Sequence, residues 1–396
     1  MGVLATILVI AKREFRYLYS DSRLRTVVFV APFIYAALFC VVYIRHTLYD
    51  IPIAVVVQDH SQPVRTLVRM LEASPKLKII ARPFSIEEVK DLMLAGKIDA
   101  ALVIPENFTR RLKRGEDTFV PTYVNAASMV AANMSAKAMN EVVQTFSAGV
   151  EIKTLMKKGE RLDSAKQKFM PVKLDMRPLF NPSFNYSNFM VPGILIAILQ
   201  QVILLGIALS WTGEKEAGTL QDLFGISRSP WVLMIGKAIP YVVINFIVAE
   251  FYLRVLFPLN DIPMEGAWYV AIPFTILFIF TVVSWGMWVS ALCTTRVFAT
   301  QLLMFVAMPS FVLSGFTWPL QGMPPLAQFI SYCLPMTYYA TSFRTIYLAA
   351  APLKYILNNF AVLGAFSLFN VLAAYFVIRR LTKKTPLVPK VTPSLM

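Results

Sequence analysis

Six runs of mostly apolar residues, Thr26–Ile44, Phe189–Trp211, Trp231–Leu256, Ala267–Ala291, Phe298–Phe316 and Tyr355–Ile378, constrain this chain more than any other feature. Each approaches or exceeds the ~20 residues that an α-helix needs to cross about 30 Å of hydrocarbon. In that solvent every backbone N–H and C=O must be paired within the protein, and for such runs a helix is the structure that does it. The expected fold is a polytopic α-helical membrane protein with six transmembrane helices. Composition agrees: 57% of residues are hydrophobic and 15% charged, against about 45–50% and about 25% in soluble domains.

The formal net charge of +15 suggests nucleic acid until its distribution is considered. Of the 38 Lys and Arg, 21 lie in residues 45–187 with 15 of the 23 acids, so that segment carries only +6. Much of the remaining excess flanks apolar runs, where basic residues set orientation. A nucleic-acid partner is therefore not expected. Cys40, Cys293 and Cys333 show no paired or metal-like spacing, and His46 and His60 are too few for a metal cluster. Met1–Ile10 is short and closely followed by Lys12 and Arg13, unlike a cleaved export signal. Leu4–Tyr19 repeats apolar residues every three to four positions among Lys12, Arg13, Glu14 and Arg16, which predicts a helix lying in the membrane interface.

Short-loop charges orient the spans. Lys12, Arg13, Arg16, Arg23 and Arg25 precede the first span; Arg379, Arg380, Lys383, Lys384 and Lys390 follow the last. Six crossings put both ends on one side, expected to be cytoplasmic. Residues 45–187 then face outward, as does the long stretch Pro319–Lys354. The outward segment alternates strand-like runs (Ile53–Val57, Leu77–Ala81, Asp99–Ile104, Val120–Val124) with helical ones (Pro63–Ala73, Ile86–Ala95, residues 106–114), predicting a small α/β domain. From Ala126 to Phe169 long helices are expected to return the chain to the membrane near Pro182. The domain boundaries read as 1–44, 45–187, 188–380 and a cytoplasmic tail at 381–396.

Two interruptions carry the chemistry. The polar run Thr212–Pro230 places Glu214, Lys215, Glu216 and Asp222 beside Leu220, Leu223 and Phe224, whose spacing gives a short helix one apolar stripe. It reads either as a docking handle on the cytoplasmic side or as an ordinary solvated loop. Farther on, Ser314–Pro325 breaks a span with three prolines and two glycines. A helix broken at membrane depth needs protein around its free backbone groups, so residues 319–352 are expected to form a re-entrant outer segment. Phe316, Trp318, Tyr338, Tyr339 and Arg344 are candidates for an outer gate or pathway, against the bland alternative of an interfacial aromatic belt. Glu250 and Arg254 stand four apart and can pair within the third span.

Glu214-Lys-Glu-Ala-Gly-Thr-Leu-Gln-Asp-Leu223 is similar to the E-x-E-x-G-T-x-x-x-L signature of the membrane subunits of ABC-2 type transporters. Gly236-Lys-Ala-Ile-Pro-Tyr241, Ser314-Gly-Phe-Thr-Trp-Pro-Leu-Gln-Gly-Met-Pro324 and Pro335-Met-Thr-Tyr-Tyr339 extend the resemblance in order along nearly the whole chain. Ile53-Ala-Val-Val-Val57 and Asp99-Ala-Ala-Leu-Val-Ile-Pro105 resemble the exporter branch with a large external domain after the first span. Ala217 stands where a basic residue is common, and Gln221 where Glu is frequent.

The resemblance implies that residues 212–230 form a coupling helix seated on a cytoplasmic ABC ATPase. Glu214, Glu216, Gly218, Thr219, Leu220, Asp222, Leu223 and Phe224 would transmit its closure. No G-x-x-x-x-G-K-[ST] phosphate loop occurs in the chain, so ATP and Mg belong to that separate subunit and this chain is not itself an enzyme. A second permease copy or paralogue is implied, with a periplasmic membrane-fusion adaptor and outer-membrane duct as further candidate partners in an inner membrane. The expected activity is ATP-driven efflux of a hydrophobic or amphipathic substrate, drug-like, lipid or glycan. The alternatives are a secondary transporter driven by an ion gradient and a sensor or mechanotransmitter without substrate flux.

Overall fold

The computed structural model describes residues 2–43, 49–114, 116–157, 159, 179–181 and 185–384. The chain divides into two compact units, one formed by Met1–His46 with Pro178–Met396 and the other by Thr47–Arg177.

In the first unit α1 (Val3–Ser20) leads into α2 (Ser22–Val42). Their junction is set by Asp21, whose carboxylate accepts from the N–H groups of Arg23 and Leu24 and caps α2. Beyond the inserted second unit the chain adds, among the described residues, eight further helices to the first unit. They are α7 (Tyr186–Glu216), α8 (Leu220–Ile226), α9 (Pro230–Leu259), α10 (Trp268–Leu292), α11 (Arg296–Leu313), α12 (Pro325–Tyr332), α13 (Pro335–Ala349) and α14 (Leu353–Lys384). Six of them, α2, α7, α9, α10, α11 and α14, are long and apolar enough to cross a membrane. The protein is a multi-pass helical membrane protein.

By burial the six fall into an inner and an outer set. Helices α7, α9 and α10 are mostly buried within the chain, whereas α2, α11 and α14 leave most of their surface outward. Small residues let the inner set close. Gly286 of α10 faces Ile207 of α7, and a Cβ there would lie 2.1 Å from that side chain. Both π-turns in the bundle, Thr26–Val30 and Tyr252–Leu256, come just ahead of a proline, Pro32 and Pro258. Proline lacks an N–H and its ring crowds the carbonyl four residues earlier; widening the preceding turn relieves that crowding. The two sites are tied together, since the Tyr252 hydroxyl donates to the Pro32 carbonyl at 2.9 Å.

The span expected to end at Trp211 is longer than its apolar run: the polar residues Thr212–Glu216 belong to the same helix, and a separate short helix begins at Leu220 after the break at Gly218-Thr219. Helix α7 continues to Glu216; Thr212 satisfies its hydroxyl on the Ala208 carbonyl (2.6 Å), and Lys215 holds this last turn by donating to the carbonyls of Ala291 and Cys293 (2.5 and 2.6 Å). The turn itself is Ala217–Thr219, with Gly218 at φ 68°, a region open to glycine at no steric cost. Helix α1 is likewise more than an interfacial strip: Ile10, Ala11, Glu14 and Leu18 are buried, and Ile10 rests on Gly236 of α9.

After α11 the chain makes a short 3₁₀ turn at Leu320–Gly322 and returns through α12 and α13. The broken ends are satisfied locally. Ser331 donates to the Leu313 carbonyl (2.5 Å), Gln328 to that of Met323 (2.9 Å) and Thr337 to that of Ser331 (2.6 Å).

The second unit contains β1 (Ile51–Val57), α3 (Gln62–Glu72), β2 (Leu77–Ala81), α4 (Ile86–Leu94), β3 (Ala100–Ile104), α5 (Phe108–Arg114), β4 (Thr122–Val124) and α6 (Met129–Lys157). The sheet order is β2-β1-β3-β4, with β1 parallel to β2 and β3, and β4 antiparallel to β3. Alternation along the strands separates two cores. Ile53, Val55, Leu102 and Ile104 pack with Val64, Leu67 and Leu71 of α3 and Met139 and Phe146 of α6. Ala54, Val56, Ala101 and Val103 pack with Val89 of α4 and Ile98. The expected helices from Ala126 to Phe169 appear as the single helix α6 as far as Lys157; residues 160–169, Pro182 and the tail from 385 onward lie outside the described residues.

A Cβ at Gly236 would lie 2.7 Å from two atoms of Ile10. Gly236→Val should therefore lower stability by about 1–3 kcal/mol through overpacking, read as the thermal transition in detergent. Gly364→Ala, which meets open space, should not lower it.

Candidate functional site

The C-terminal end of α7 is the hub of an ionic cluster. Lys237, fully buried in α9, reaches two carboxylates: Glu14 of α1, at short range, and Glu214 of α7, at 3.3 Å. Arg13 of α1 pairs with Glu214 at 2.8 Å. Glu14 further accepts from Ser210 (2.6 Å) and Tyr241 (3.0 Å), and Glu214 from the Thr219 hydroxyl. The Lys237 ammonium lies 5.4 Å from the Trp211 ring centre. Two bases and two acids thus balance, with Lys237, Glu14 and Glu214 buried and Arg13 half-buried at the edge, and in such a place an unpaired charge is costly.

A second ionic node adjoins it. Arg296, at the start of α11, pairs with Glu216 at 3.0 Å and with Asp21 at 3.6 Å. Glu216 also accepts the Arg296 N–H at 2.7 Å, placing a carboxylate at the positive end of α11. Tyr17 lies between the two nodes. Burial, with Glu14, Asp21 and Glu214 adding and Arg296 opposing, pushes its phenol up to about 12, so it stays protonated at neutral pH. Gly213 leaves room for that ring, since a Cβ there would lie 2.2 Å from the hydroxyl.

This geometry divides the proposed coupling residues. Glu214, Leu223 and Phe224 are buried within the chain itself, and the latter two belong to its main apolar core. They root the segment and do not offer a surface to a partner. The apolar stripe was legible, but a stripe alone does not say which surface covers it. Thr219 and Leu220 are half-buried; Glu216, Gly218 and Asp222 are exposed, together with Ala217, Gln221, Gly225 and Arg228.

The outer candidates are not one cluster. Phe316 is buried, and Arg344 lies 3.8 Å from its ring centre and 4.7 Å from that of Phe189 while donating to the Phe316 carbonyl at 2.5 Å. Tyr339 instead stacks on Phe278 (4.2 Å) and shares a 2.8 Å hydrogen bond with Thr275. It borders a cavity of about 20 Å³ between Leu195, Ile196, Tyr252 and Phe343, room for about one water. Trp318 is exposed at 55%, and Tyr338 is half-buried, its hydroxyl donating to the Tyr332 carbonyl at 2.9 Å. Glu250 and Arg254 pair at 2.5 Å on one face of α9, with Arg254 also 4.8 Å from the Trp268 ring centre.

Sequence reasoning did not join Glu14 to Lys237. Signals existed for both. Lys237 is a base inside an otherwise apolar span, which marks a functional position by default. Glu14 falls on the same helical stripe as Ile10, Ala11 and Leu18, where an acid is out of place.

The profile of the ABC-2 family transporter proteins matches residues 24–376. The probable multidrug ABC transporter permease YbhR of Escherichia coli K12 is 24% identical over 294 residues, 74% of this chain and 77% of YbhR. Its counterpart YbhS is 24% identical over 298 residues, 74% of this chain and 76% of YbhS. The inner membrane transport permease YhhJ of the same strain is 24% identical over 275 residues, 68% and 70% of the two chains.

Removing one member of the buried cluster leaves a charge without its counter-charge. Lys237→Met should destabilise the protein by about 3–5 kcal/mol, measured by thermal unfolding in detergent. The double variant Glu14→Gln/Lys237→Met should recover part of the loss; a cost equal to the sum of the single variants would show that the two are not coupled.

Proposed function

This chain belongs to the ABC-2 family of transporter proteins, and from that premise we propose that it is one permease half of an ATP-driven exporter. ATP and Mg are bound by a separate cytoplasmic ABC ATPase, and a second permease, a copy or a paralogue, completes the pathway. The observation that carries the reading is the segment 216–229: exposed along Glu216, Gly218, Gln221 and Asp222, rooted by Leu223 and Phe224, and continuous with the ionic cluster. A docking surface fixed to the ends of several spans moves those spans when its partner closes.

In this reading the contact face differs from the one the sequence suggested. Glu216, Gly218, Gln221 and Asp222 meet the ATPase, while Glu214 passes the displacement inward through Arg13 and Lys237 to α1 and α9. Residues 212–230 lie on the cytoplasmic side with both termini, as the basic flanks argue. The α/β unit is then extracytoplasmic and available to a periplasmic membrane-fusion adaptor that leads to an outer-membrane duct. Residues 319–352 form the re-entrant outer segment, and Phe316 just ahead of it and Arg344 within it brace the pathway mouth. The substrate is hydrophobic or amphipathic; the multidrug description belongs to YbhR and YbhS. An ion-gradient mechanism is disfavoured because both buried carboxylates of the cluster are already neutralised by Lys237 and Arg13.

Proline cannot adopt the φ of 68° seen at Gly218. Gly218→Pro should reduce ATP-driven efflux in proteoliposomes by more than about tenfold while membrane insertion is kept. Cysteines at 216 or 222 should crosslink to the ATPase in native vesicles. Wild-type efflux by Gly218→Pro, or labelling of those cysteines from the outside only, would overturn the mechanism.

A further inference from the structure

The α/β unit holds a cleft of about 920 Å³ beyond the carboxyl ends of β1 and β2, a size within the range of small-molecule sites. Its floor is apolar: Val57, Val64, Val68 and Pro83. Its walls carry Arg65 and Arg69 from α3 and Arg82 from the connection after β2.

The charges there are unevenly matched. Arg82 pairs with Glu72 at 2.6 Å. The other carboxylate, Asp59, accepts from the N–H groups of Ser61 (3.0 Å) and Thr109 (2.9 Å). Burial opposes its ionisation, but these bonds and the hydroxyl of Thr109 outweigh that and hold it below the usual carboxylate range. Asp59 thereby ties the loop after β1 to the start of α5 and is committed to those bonds. Arg65 and Arg69 are left with no ion pair among the described residues. They sit at i and i+4 on α3, an arrangement in which like charges repel, and the helix keeps them facing one cleft.

A second observation concerns the rim. Phe84 is 87% exposed, yet its backbone is pinned: its N–H donates to Glu88 at 2.9 Å, while Ser85 caps α4 by accepting from the Glu88 N–H. The chain thus holds an aromatic ring out in solvent beside two unmatched guanidiniums. We propose that this cleft binds an organic anion with an apolar body, its phosphate, sulfonate or carboxylate head on Arg65 and Arg69 and its body against Phe84 and the valine floor. Paired guanidiniums suit oxyanions through charge-assisted, bidentate bonds. The anion is either a free solute or a lipid headgroup, which share this chemistry.

Calorimetric titration of the full chain in neutral detergent tests the site with phenyl phosphate, inorganic phosphate and benzyl alcohol. Saturable binding is expected for phenyl phosphate, with affinity at least about tenfold lower for inorganic phosphate and none for benzyl alcohol. Arg65→Ala/Arg69→Ala and, separately, Phe84→Ala should each weaken phenyl phosphate by at least about tenfold without shifting the thermal transition. Should the double variant unfold, Arg69→Gln alone replaces it and should give the same direction. In lipid discs, competition by phosphatidylglycerol but not phosphatidylcholine identifies a headgroup as the occupant, and undiminished binding identifies a free anion; both uphold the site. Equal binding by wild type and variants, no saturation, equal affinity for inorganic phosphate, or binding of an acidic peptide where phenyl phosphate fails would overturn it.

Discussion

A lysine buried in a membrane-spanning helix must be met by carboxylates or it destabilises the whole bundle, and the meeting of Lys237 with Glu14 and Glu214 organises this protein. Three helices distant in sequence contribute to it. Its geometry needs α1 pressed close to α9, which Gly236 permits, and α7 carried past the end of its apolar stretch to present Glu214. A hydrophobic triad of similar volume would hold the same helices as well or better. Retaining charges in that place fits a junction whose partners have to be specific to one register.

The cluster also explains why the segment after α7 has two characters. Its inner side, Leu223 and Phe224, is core; its outer side is polar and exposed. Force applied to the exposed side meets no soft layer before reaching Glu214, because only the turn at Ala217–Thr219 intervenes, and Thr219 bonds back to Glu214. The adjoining node at Arg296 extends the same connection to α11. The far end of the bundle answers a different demand: where α11 stops and α12 and α13 begin, hydroxyl and amide side chains take up the backbone carbonyls that helices no longer pair.

What could be read from the sequence follows from how local each determinant is. The spans were legible because about 20 consecutive apolar residues suffice to define them. Runs such as Ile53–Val57 stand out because both faces of their strands are covered. The fate of Leu223 and Phe224 was not legible, since an apolar stripe is the same whether its own chain or another buries it. Nor was the grouping of the aromatic candidates: Phe316 and Arg344 meet, while Tyr339 turns to Phe278 and Thr275, because those contacts depend on how α13 folds back after a break. Glu14 and Lys237 were each visible as anomalies, but their distance of more than 200 positions hid the pairing.

Helix α7 runs as one piece from Tyr186 to Glu216, 31 residues, which at 1.5 Å per residue is about 46 Å. It is a rod with a charged grip at one tip and, near the other, Gly193 lying flush against the ring of Phe316. A rod that length amplifies rotation: Gly193 is about 35 Å from Glu216, so a tilt of about 5° around the cluster end shifts it by about 3 Å, comparable to the thickness of an aromatic ring. Small angular play at one face of the bilayer is therefore enough to pull Phe316 away from its seat at the opposite face.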